Sequence, residues 1–385
     1  MNYLLSNLSI NDIIVIILYI VCAHQLTQRV GIMGKKFKGL FSWLIIIQFL
    51  LTFLYPILAG STDSRLFFGL AQVKVGWGMN GPTGGIDNDF IIFLTAPLVH
   101  LFQLSYLGCM YVFSFMGLLG WYFLLKVVYA TTKGIWHQWY YILLLPQFHY
   151  WTCALGKDSL IFWGICMVIY TWYFHKSFLY YCLPVITIGC IRSPVLMLMG
   201  GAYSVSFLIK SKASIWVKGA VTCVLFVGAI MLMPAVEKRL DISDLGSAES
   251  LQNFVEKQES MNQMSGSALD LQGANIIVKI FSYIFRPLFF DARNVLQLEA
   301  SFENLVWLCM FIFILKHFKR KYLLWFPTLA FLLMWMAQGS ILNNLGVAMR
   351  QKMMFFPMFY LLFMQMLYNT KLARNRALNV CRRKN

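Results

Sequence analysis

Long apolar stretches dominate the chain, and short polar or basic stretches separate them. A helix needs about 20 apolar residues to cross a hydrocarbon core about 30 Å thick. On that scale the pattern predicts about eleven transmembrane helices. They cover residues 9–26, 39–58, 107–127, 137–154, 159–174, 177–191, 194–209, 214–235, 299–315, 322–338 and 353–369. The predicted fold is all-α, a single polytopic integral membrane domain over residues 1–385.

Composition points to the same class. The chain is 59% hydrophobic and 12% charged, whereas soluble globular chains are about 25% charged. A water-soluble fold of this size could not cover its surface, and a disordered chain needs the opposite composition. Both classes are therefore excluded.

Basic residues predict the orientation in the membrane. Twenty of the 32 Lys and Arg residues, and none of the 15 Asp and Glu residues, fall in six of the predicted connections. These connections are 27–38, 126–136, 175–176, 209–218, 316–321 and 370–385. The positive-inside rule places them in the cytoplasm, with the N-terminus outside and the C-terminus inside. The net charge of +17 then belongs to basic loops, and we expect no nucleic-acid partner.

The predicted cytoplasmic connections lack the motifs of nucleotide chemistry, because neither a P-loop nor a dinucleotide fingerprint occurs in them. The nine cysteines form no CxxC pair, so we expect neither a metal site nor a cofactor. Any chemistry therefore belongs to the outer face. Two large outer loops are predicted there, 59–106 and 236–298, each with an interfacial helix.

Ionisable residues at the outer ends of the spans are the candidate site residues. Such groups are costly at membrane depth, so several on one side favour a polar cavity. Arg and Lys suit a phosphate-bearing substrate, and a carboxylate can serve as its base. The candidates are Asp63, Arg65, His149, Lys157, Asp158, Arg192, Arg286, Arg293, Glu299, Glu303, Asn344, Arg350 and Gln351.

Structural roles are the alternative for each candidate. Asp63 could cap a helix, and Arg286 could anchor to lipid headgroups. The remaining charges could form pairwise salt bridges between span ends.

Several outer-face motifs together resemble the bacterial O-antigen and exopolysaccharide repeat-unit polymerases of the Wzy type. The same motifs are similar to the wider C-type membrane glycosyltransferases. The resemblance covers residues 60–357, and its motifs are loose. In chain order they are the turn GSTDS, then LPQFHYWTCALGKDSLIFWG, IRSPV, FRPLFFDARN, LEASFEN and NLGVAMRQKMMFFP.

The resemblance implies glycan transfer at the periplasmic face of a bacterial inner membrane. A glycan on undecaprenyl diphosphate would pass to a new lipid-linked repeat unit, with lipid diphosphate as the leaving group. Arg192, Arg286 and Arg350 would clamp the diphosphate. Asp63, or one of Glu299 and Glu303, would act on the acceptor hydroxyl. A chain-length regulator and a flippase are the partners that the family suggests.

Two alternatives to the polymerase hypothesis remain open. The first is an O-antigen ligase or another glycosyltransferase that uses a lipid-phosphate sugar. Ser64 stands where C-type enzymes commonly carry a second acid beside Asp63, which argues against a metal-dependent C-type mechanism. The second is a polysaccharide or lipid transporter, such as a flippase, although no internal repeat of the transporter kind is visible.

Overall fold

The computed structural model describes residues 8–58, 63–73, 87–240, 247, 249–250, 252–254, 257, 275–292, 295–340 and 345–384. Within these ranges every regular element is a helix, and no strand occurs. The prediction of an all-α fold is therefore confirmed.

Thirteen α-helices and two short 3₁₀ helices make up the described part of the chain. The α-helices are α1 (Ile10–Gly31), α2 (Lys35–Leu58), α3 (Asp63–Val73), α4 (Asn88–His100), α5 (Tyr106–Thr131), α6 (Pro146–Thr152), α7 (Lys157–Tyr173), α8 (Leu179–Lys210), α9 (Ile215–Leu240), α10 (Ile276–Phe285), α11 (Val295–Lys316), α12 (Trp325–Gly339) and α13 (Leu345–Lys384). The 3₁₀ helices are Gln138–Leu144 and Arg320–Tyr322.

Five of the described helices are long and apolar enough to cross a membrane: α1, α2, α5, α8 and residues Gln297–Lys316 of α11. A sixth span results if the bent pair α6 and α7 counts as one. The chain therefore has the helices of a multi-pass membrane protein. The number of eleven spans and their orientation stay predictions.

Three predicted spans differ from the observed helices. The span predicted over 137–154 consists of the 3₁₀ helix Gln138–Leu144 and of α6, which starts at Pro146. Proline is favoured at the first position of a helix, where its missing N–H group costs no helix hydrogen bond. Helices α6 and α7 then meet at an angle of 106°. The spans predicted at 177–191 and 194–209 follow each other without a loop in α8, whose helical geometry is interrupted at Arg192.

The fold divides into two compact units, which we describe separately. The first comprises residues 1–129 and 136–193. Its α7 is enclosed by protein, since nearly every side chain from Lys157 to Thr171 is buried. Helix α1 instead exposes a broad apolar face that includes Ile13 and Ile17. Large exposed apolar faces are expected where a helix contacts lipid.

The second unit comprises residues 130–135 and 194–385. Here α13 is the enclosed helix, because every side chain from residue 352 to residue 364 is buried. Trp307 of α11 stacks on Phe359 of α13 with ring centroids 4.9 Å apart. Helix α9 exposes much of its apolar surface, which suits contact with lipid. Each unit thus surrounds one central helix with apolar helices.

Small residues allow close helix contacts in the first unit. Gly117 of α5 lies against the backbone of α6, and a Cβ atom there would overlap the carbonyl oxygen of Thr152. The same atom would stand 3.0 Å from Nε2 of Gln48 on α2. Such packing is typical of membrane helix bundles, where small residues let backbones approach. Gly117 therefore fixes how α6 sits against α5.

Replacing Gly117 with Ala should lower the thermal unfolding temperature of the protein purified in detergent. Overpacking of this kind costs about 1–3 kcal/mol. Gly39 on α2 is the matched control, because nothing lies within 4 Å of its added Cβ. Gly39→Ala should leave the unfolding temperature unchanged or raise it slightly. Equal melting curves for the two variants would contradict the close contact.

Candidate functional site

Four ionisable residues meet in the first unit, and we refer to them as the charge cluster: Asp87, Lys157, Asp158 and Arg192. Lys157, Asp158 and Arg192 are 9%, 8% and 8% exposed, respectively. Charged side chains are almost never this buried unless they are paired. The charge cluster is therefore the first place to look for function in this unit.

The charge cluster lies where helices begin or break. Lys157 and Asp158 are the first two residues of α7, after the sharp bend from α6. Arg192 interrupts α8, with φ of −144° and ψ of 70°. Asp87 precedes α4 with φ of 66°, which residues other than glycine rarely adopt. Broken helices and unusual backbone angles are concentrated at functional sites of membrane proteins.

Pairing links these positions to one another. The ammonium group of Lys157 forms an ion pair with the Asp87 carboxylate. Arg192 Nη2 donates to Asp158 Oδ1 at 3.4 Å, near the long end of hydrogen-bond distance. The backbone N–H of Asp87 donates to the Cys190 carbonyl at 2.6 Å, which ties the start of α4 to α8. Phe67 of α3 completes one side, with its ring centroid 6.0 Å from Lys157 Nζ.

The donors and acceptors of the charge cluster suit an anionic group together with a hydroxyl group that donates a hydrogen bond. Two cations and two carboxylates give a formal charge of zero. The N-termini of α4 and α7 add positive potential at the same place, because peptide dipoles leave partial positive charge at a helix start. Asp158 and Asp87 can accept a proton or orient a hydroxyl group. The arrangement combines phosphate-binding donors with a potential base.

The second unit holds a separate polar group around the segment that follows α10. Arg286 forms a bidentate ion pair with Asp291, in which Nε donates to Oδ2 at 2.8 Å and Nη2 donates to Oδ1. The backbone N–H of Leu288 also donates to Asp291 Oδ2, at 2.9 Å. The hydrogen bond to Asp291 raises the pKa of the Arg286 guanidinium above its usual value. The carboxylate thus fixes the direction of Arg286.

Lys352 supports this segment from the start of the buried stretch of α13. Its ammonium, 3% exposed, donates to Asn304 Oδ1 at 2.6 Å and to the Arg286 carbonyl at 3.2 Å. Asn304 in turn donates to the Pro287 carbonyl at 2.8 Å. Glu303, which is 2% exposed, interacts electrostatically with Lys352. Lys352 and Asn304 therefore hold the backbone on both sides of the Arg286–Pro287 bond.

Glu299 and Glu303 lie one turn apart on α11, as their spacing in the sequence predicts. Glu299 is half-buried, whereas Glu303 is almost fully buried. Glu303 is the member of the pair that interacts with Lys352.

The other predicted site residues fall into three groups. Asp63 and Arg65 lie on α3, and Asp63 occupies its first turn, where a carboxylate stabilises the helix. Arg350 and Gln351 lie on α13, and Gln351 Oε1 accepts from the Tyr283 hydroxyl at 3.1 Å. The remaining pair, Arg293 and Asn344, lies outside the described residues.

His149 makes contacts that connect helices within the first unit. It is fully buried, with Nδ1 2.8 Å from Gln48 Oε1 and Nε2 2.8 Å from the Leu143 carbonyl. Trp121 stacks on the imidazole at 4.7 Å. Both ring nitrogens are thus engaged by the protein, and His149 joins α6 to α2. Its contact with substrate stays a prediction.

Four residues outside the predicted set take part in the two polar groups: Asp87, Asp291, Asn304 and Lys352. Asp87 lies in a Gly-rich stretch that has no recognisable ligand spacing. Its position just before an apolar helix is the one local signal, because Asp often starts helices. Asp291 and Lys352 stand among the charges near the ends of predicted spans. Their pairing depends on the tertiary fold.

Comparison with models of known families, with characterised proteins and with solved structures finds no match. Among the described residues, no group of three or more His, Cys, Asp or Glu side chains is placed to hold a metal ion. The class that fold and site define is that of a multi-pass α-helical membrane protein with buried, paired charges.

The pair of Arg192 and Asp158 can be tested by a double-mutant cycle on thermal unfolding in detergent. Arg192→Ala and Asp158→Ala should each destabilise the protein, because each leaves a buried charge without its partner. The double variant should be less destabilised than the sum of the two, with a coupling of about 0.5–3 kcal/mol. Additive effects would mean that the two groups do not interact.

Lys352 provides a second stability test. Lys352→Met should lower the unfolding temperature, since Asn304 and the Arg286 carbonyl lose their shared donor. Adding Glu303→Gln should restore part of the loss by removing the uncompensated charge. Lys316→Met, at an exposed position on α11, is the control and should have little effect. If Lys316→Met and Lys352→Met melt alike, Lys352 does not hold this segment.

Proposed function

We propose that this protein is a membrane glycosyltransferase that polymerises oligosaccharide repeat units carried on undecaprenyl diphosphate. In this proposal the donor glycan moves to the sugar of a second lipid-linked repeat unit, and the lipid diphosphate leaves. The product would serve O-antigen or exopolysaccharide synthesis. The active site would face the periplasm of a bacterial inner membrane.

The charge cluster is the observation that carries the proposal. Lys157 and Arg192 are buried cations at interrupted helices, beside the carboxylates of Asp158 and Asp87. A leaving diphosphate gains negative charge in the transition state, and preorganised cations stabilise that charge best in a water-poor site. The carboxylate of Asp158 or Asp87 would supply the other requirement, an acceptor for the proton of the attacking hydroxyl.

Arg286, Glu299 and Glu303 belong to the second polar group of the proposal. There Arg286 would act on the phosphate or glycan, and one of Glu299 and Glu303 would act on the acceptor hydroxyl, as the resemblance implies. Asp63 and Arg350 keep the roles that the resemblance implies, as acceptor-orienting acid and phosphate contact. The proposal requires no nucleotide and no metal, because the lipid diphosphate is already an activated leaving group.

The predicted topology is part of the proposal. Eleven spans, with the N-terminus outside and the C-terminus in the cytoplasm, would put Lys157 and Arg192 at the outer side. The end of α2 and the starts of α1 and α5 border one cavity in the first unit. This arrangement supports placing these three helix ends on the same side of the membrane.

Transport of a lipid-linked glycan is the second candidate. The bent pair α6 and α7 favours it, because broken helices with buried charges are also typical of transporters. A flippase would move its substrate across the bilayer without changing the chain length of the glycan. This distinction allows one assay to separate the candidates.

The decisive experiment supplies purified protein in vesicles with one synthetic lipid-linked repeat unit and follows chain length by mass spectrometry. Polymerase activity should give a ladder of longer glycans from this single substrate. A ligase or single-sugar transferase should leave the substrate unextended, because its acceptor is absent. A flippase should change only the leaflet in which the unit is found. Absence of the ladder would contradict the polymerase proposal.

Arg192→Ala should reduce ladder formation about a hundredfold or more, because removal of one transition-state donor commonly costs that much. Arg192→Lys should restore only part of the rate, since an ammonium cannot offer the two-pronged contact. Lys212→Ala, at an exposed loop position, is the matched loss of one cation and should retain the wild-type rate. Wild-type chain lengths from a membrane-inserted Arg192→Ala variant would remove Arg192 from the site.

A further inference from the structure

A cavity in the first unit lies apart from the charge cluster, on another face of α3. Ser64, Phe67 and Ala71 are the buried face of this helix, and Phe67 is the residue that approaches Lys157. Arg65 and Gln72 lie on the neighbouring face and line the cavity. One short helix therefore borders two different environments.

The cavity measures about 910 Å³, within the range of small-molecule sites. Its lining is mixed. Ser9, Gln72, Gln103 and Ser105 contribute polar groups, whereas Phe68, Val99, Leu104 and Leu107 contribute apolar surface. Such a lining fits an amphiphile, with the polar part of the ligand at one group of residues and its hydrocarbon at the other.

The cavity is bordered by the ends of three helices long enough to cross a membrane. Ser9 caps α1, Pro56 and Ile57 are near the end of α2, and Tyr106 begins α5. The ends of membrane-spanning helices lie at the depth of lipid headgroups. A lipid headgroup can consequently reach this cavity from the bilayer.

Arg65 is the cation among the described lining residues. Its Nη2 donates to the Pro56 carbonyl at 2.7 Å, which anchors the guanidinium at the end of α2. A guanidinium has five N–H donors, so this single bond leaves donors for a ligand. Anchored guanidinium groups bind phosphate with two parallel hydrogen bonds.

Asp12 explains why Arg65, and not the helix ends, supplies the attraction for an anion. This buried carboxylate accepts from the backbone N–H of Ser9 at 2.8 Å and of Ser105 at 2.9 Å. It therefore neutralises the starts of α1 and α5 from inside the protein. The positive charge of the cavity then comes from Arg65.

We propose that this cavity binds the phosphate headgroup of a lipid, with the phosphate on Arg65 and the first part of the hydrocarbon against Phe68 and Leu107. The ligand class is an amphiphile with a phosphate headgroup, which includes anionic phospholipids and polyprenyl phosphates. The proposal does not depend on the polymerase function, because an anionic phospholipid would bind here whatever the protein catalyses.

The test measures lipid retention by native mass spectrometry of the full-length protein released from nanodiscs. Three probes are compared: dioleoyl phosphatidylglycerol, undecaprenyl phosphate and inorganic phosphate. Arg65→Ala should lower the affinity for the retained lipid about tenfold, as expected for losing a charge-assisted contact. Lys36→Ala removes an exposed cation at the other end of α2 and should retain wild-type affinity.

Gly69 provides an independent variant that keeps the charge. It lines the cavity, and nothing lies within 4 Å of a Cβ added there. Gly69→Phe should fill the cavity and reduce lipid retention with Arg65 intact, whereas Gly69→Ala should not. Both glycine variants are checked for wild-type unfolding temperature, so that a loss of retention reports the cavity and not misfolding.

Each outcome decides the proposal. Retention of phosphatidylglycerol or undecaprenyl phosphate that falls in both Arg65→Ala and Gly69→Phe supports it, and the preferred probe identifies the source of the phosphate. Unchanged retention in these two variants overturns it. Binding of inorganic phosphate without either lipid overturns the lipid assignment. Failure of the polymerase assay alone leaves this result unaffected, so the two proposals fail separately.

Discussion

A charge placed inside a bundle of apolar helices has to find a partner, and this requirement organises both units of the protein. Lys157 with Asp87, Arg192 with Asp158 and Arg286 with Asp291 all satisfy it in the structure. The cost of leaving any one of these groups alone in a medium of low polarity is several kcal/mol. The geometry of the helix ends follows from this need, since Asp87 and Arg192 take backbone angles outside the ordinary helical range.

Pairing also explains how a site can be stable and still be chemically useful. Ion pairs in a dry environment hold their members in fixed directions, and fixed dipoles are what a charged transition state needs. In the second unit, Lys352 and Asn304 fix the backbone around Arg286 and Pro287 in the same manner. A phosphate group entering either place would meet donors that are already oriented, provided that it competes with the carboxylate present.

The sequence predicts the helical membrane fold well, because hydrophobicity is a local property that each span carries within itself. It also indicates that Lys157, Arg192 and Glu303 are unusual, since they interrupt apolar runs. It cannot give their partners. Asp87 and Lys157 are brought together by tertiary packing. The contacts of His149 with α2 and of Gly117 with α6 likewise join residues that are far apart in the sequence.

The enclosure of α7 limits which amino-acid substitutions the chain can accept during evolution. From Lys157 to Thr171 almost every direction around this helix is occupied by neighbouring side chains, and interiors of this density respond even to the loss or gain of one methylene group. Substitutions there need compensating changes in surrounding helices. On α1, one apolar residue can replace another at little cost along the exposed face. Sequence drift should therefore be slow along α7 and fast along α1, so that divergent relatives would be aligned most securely through α7.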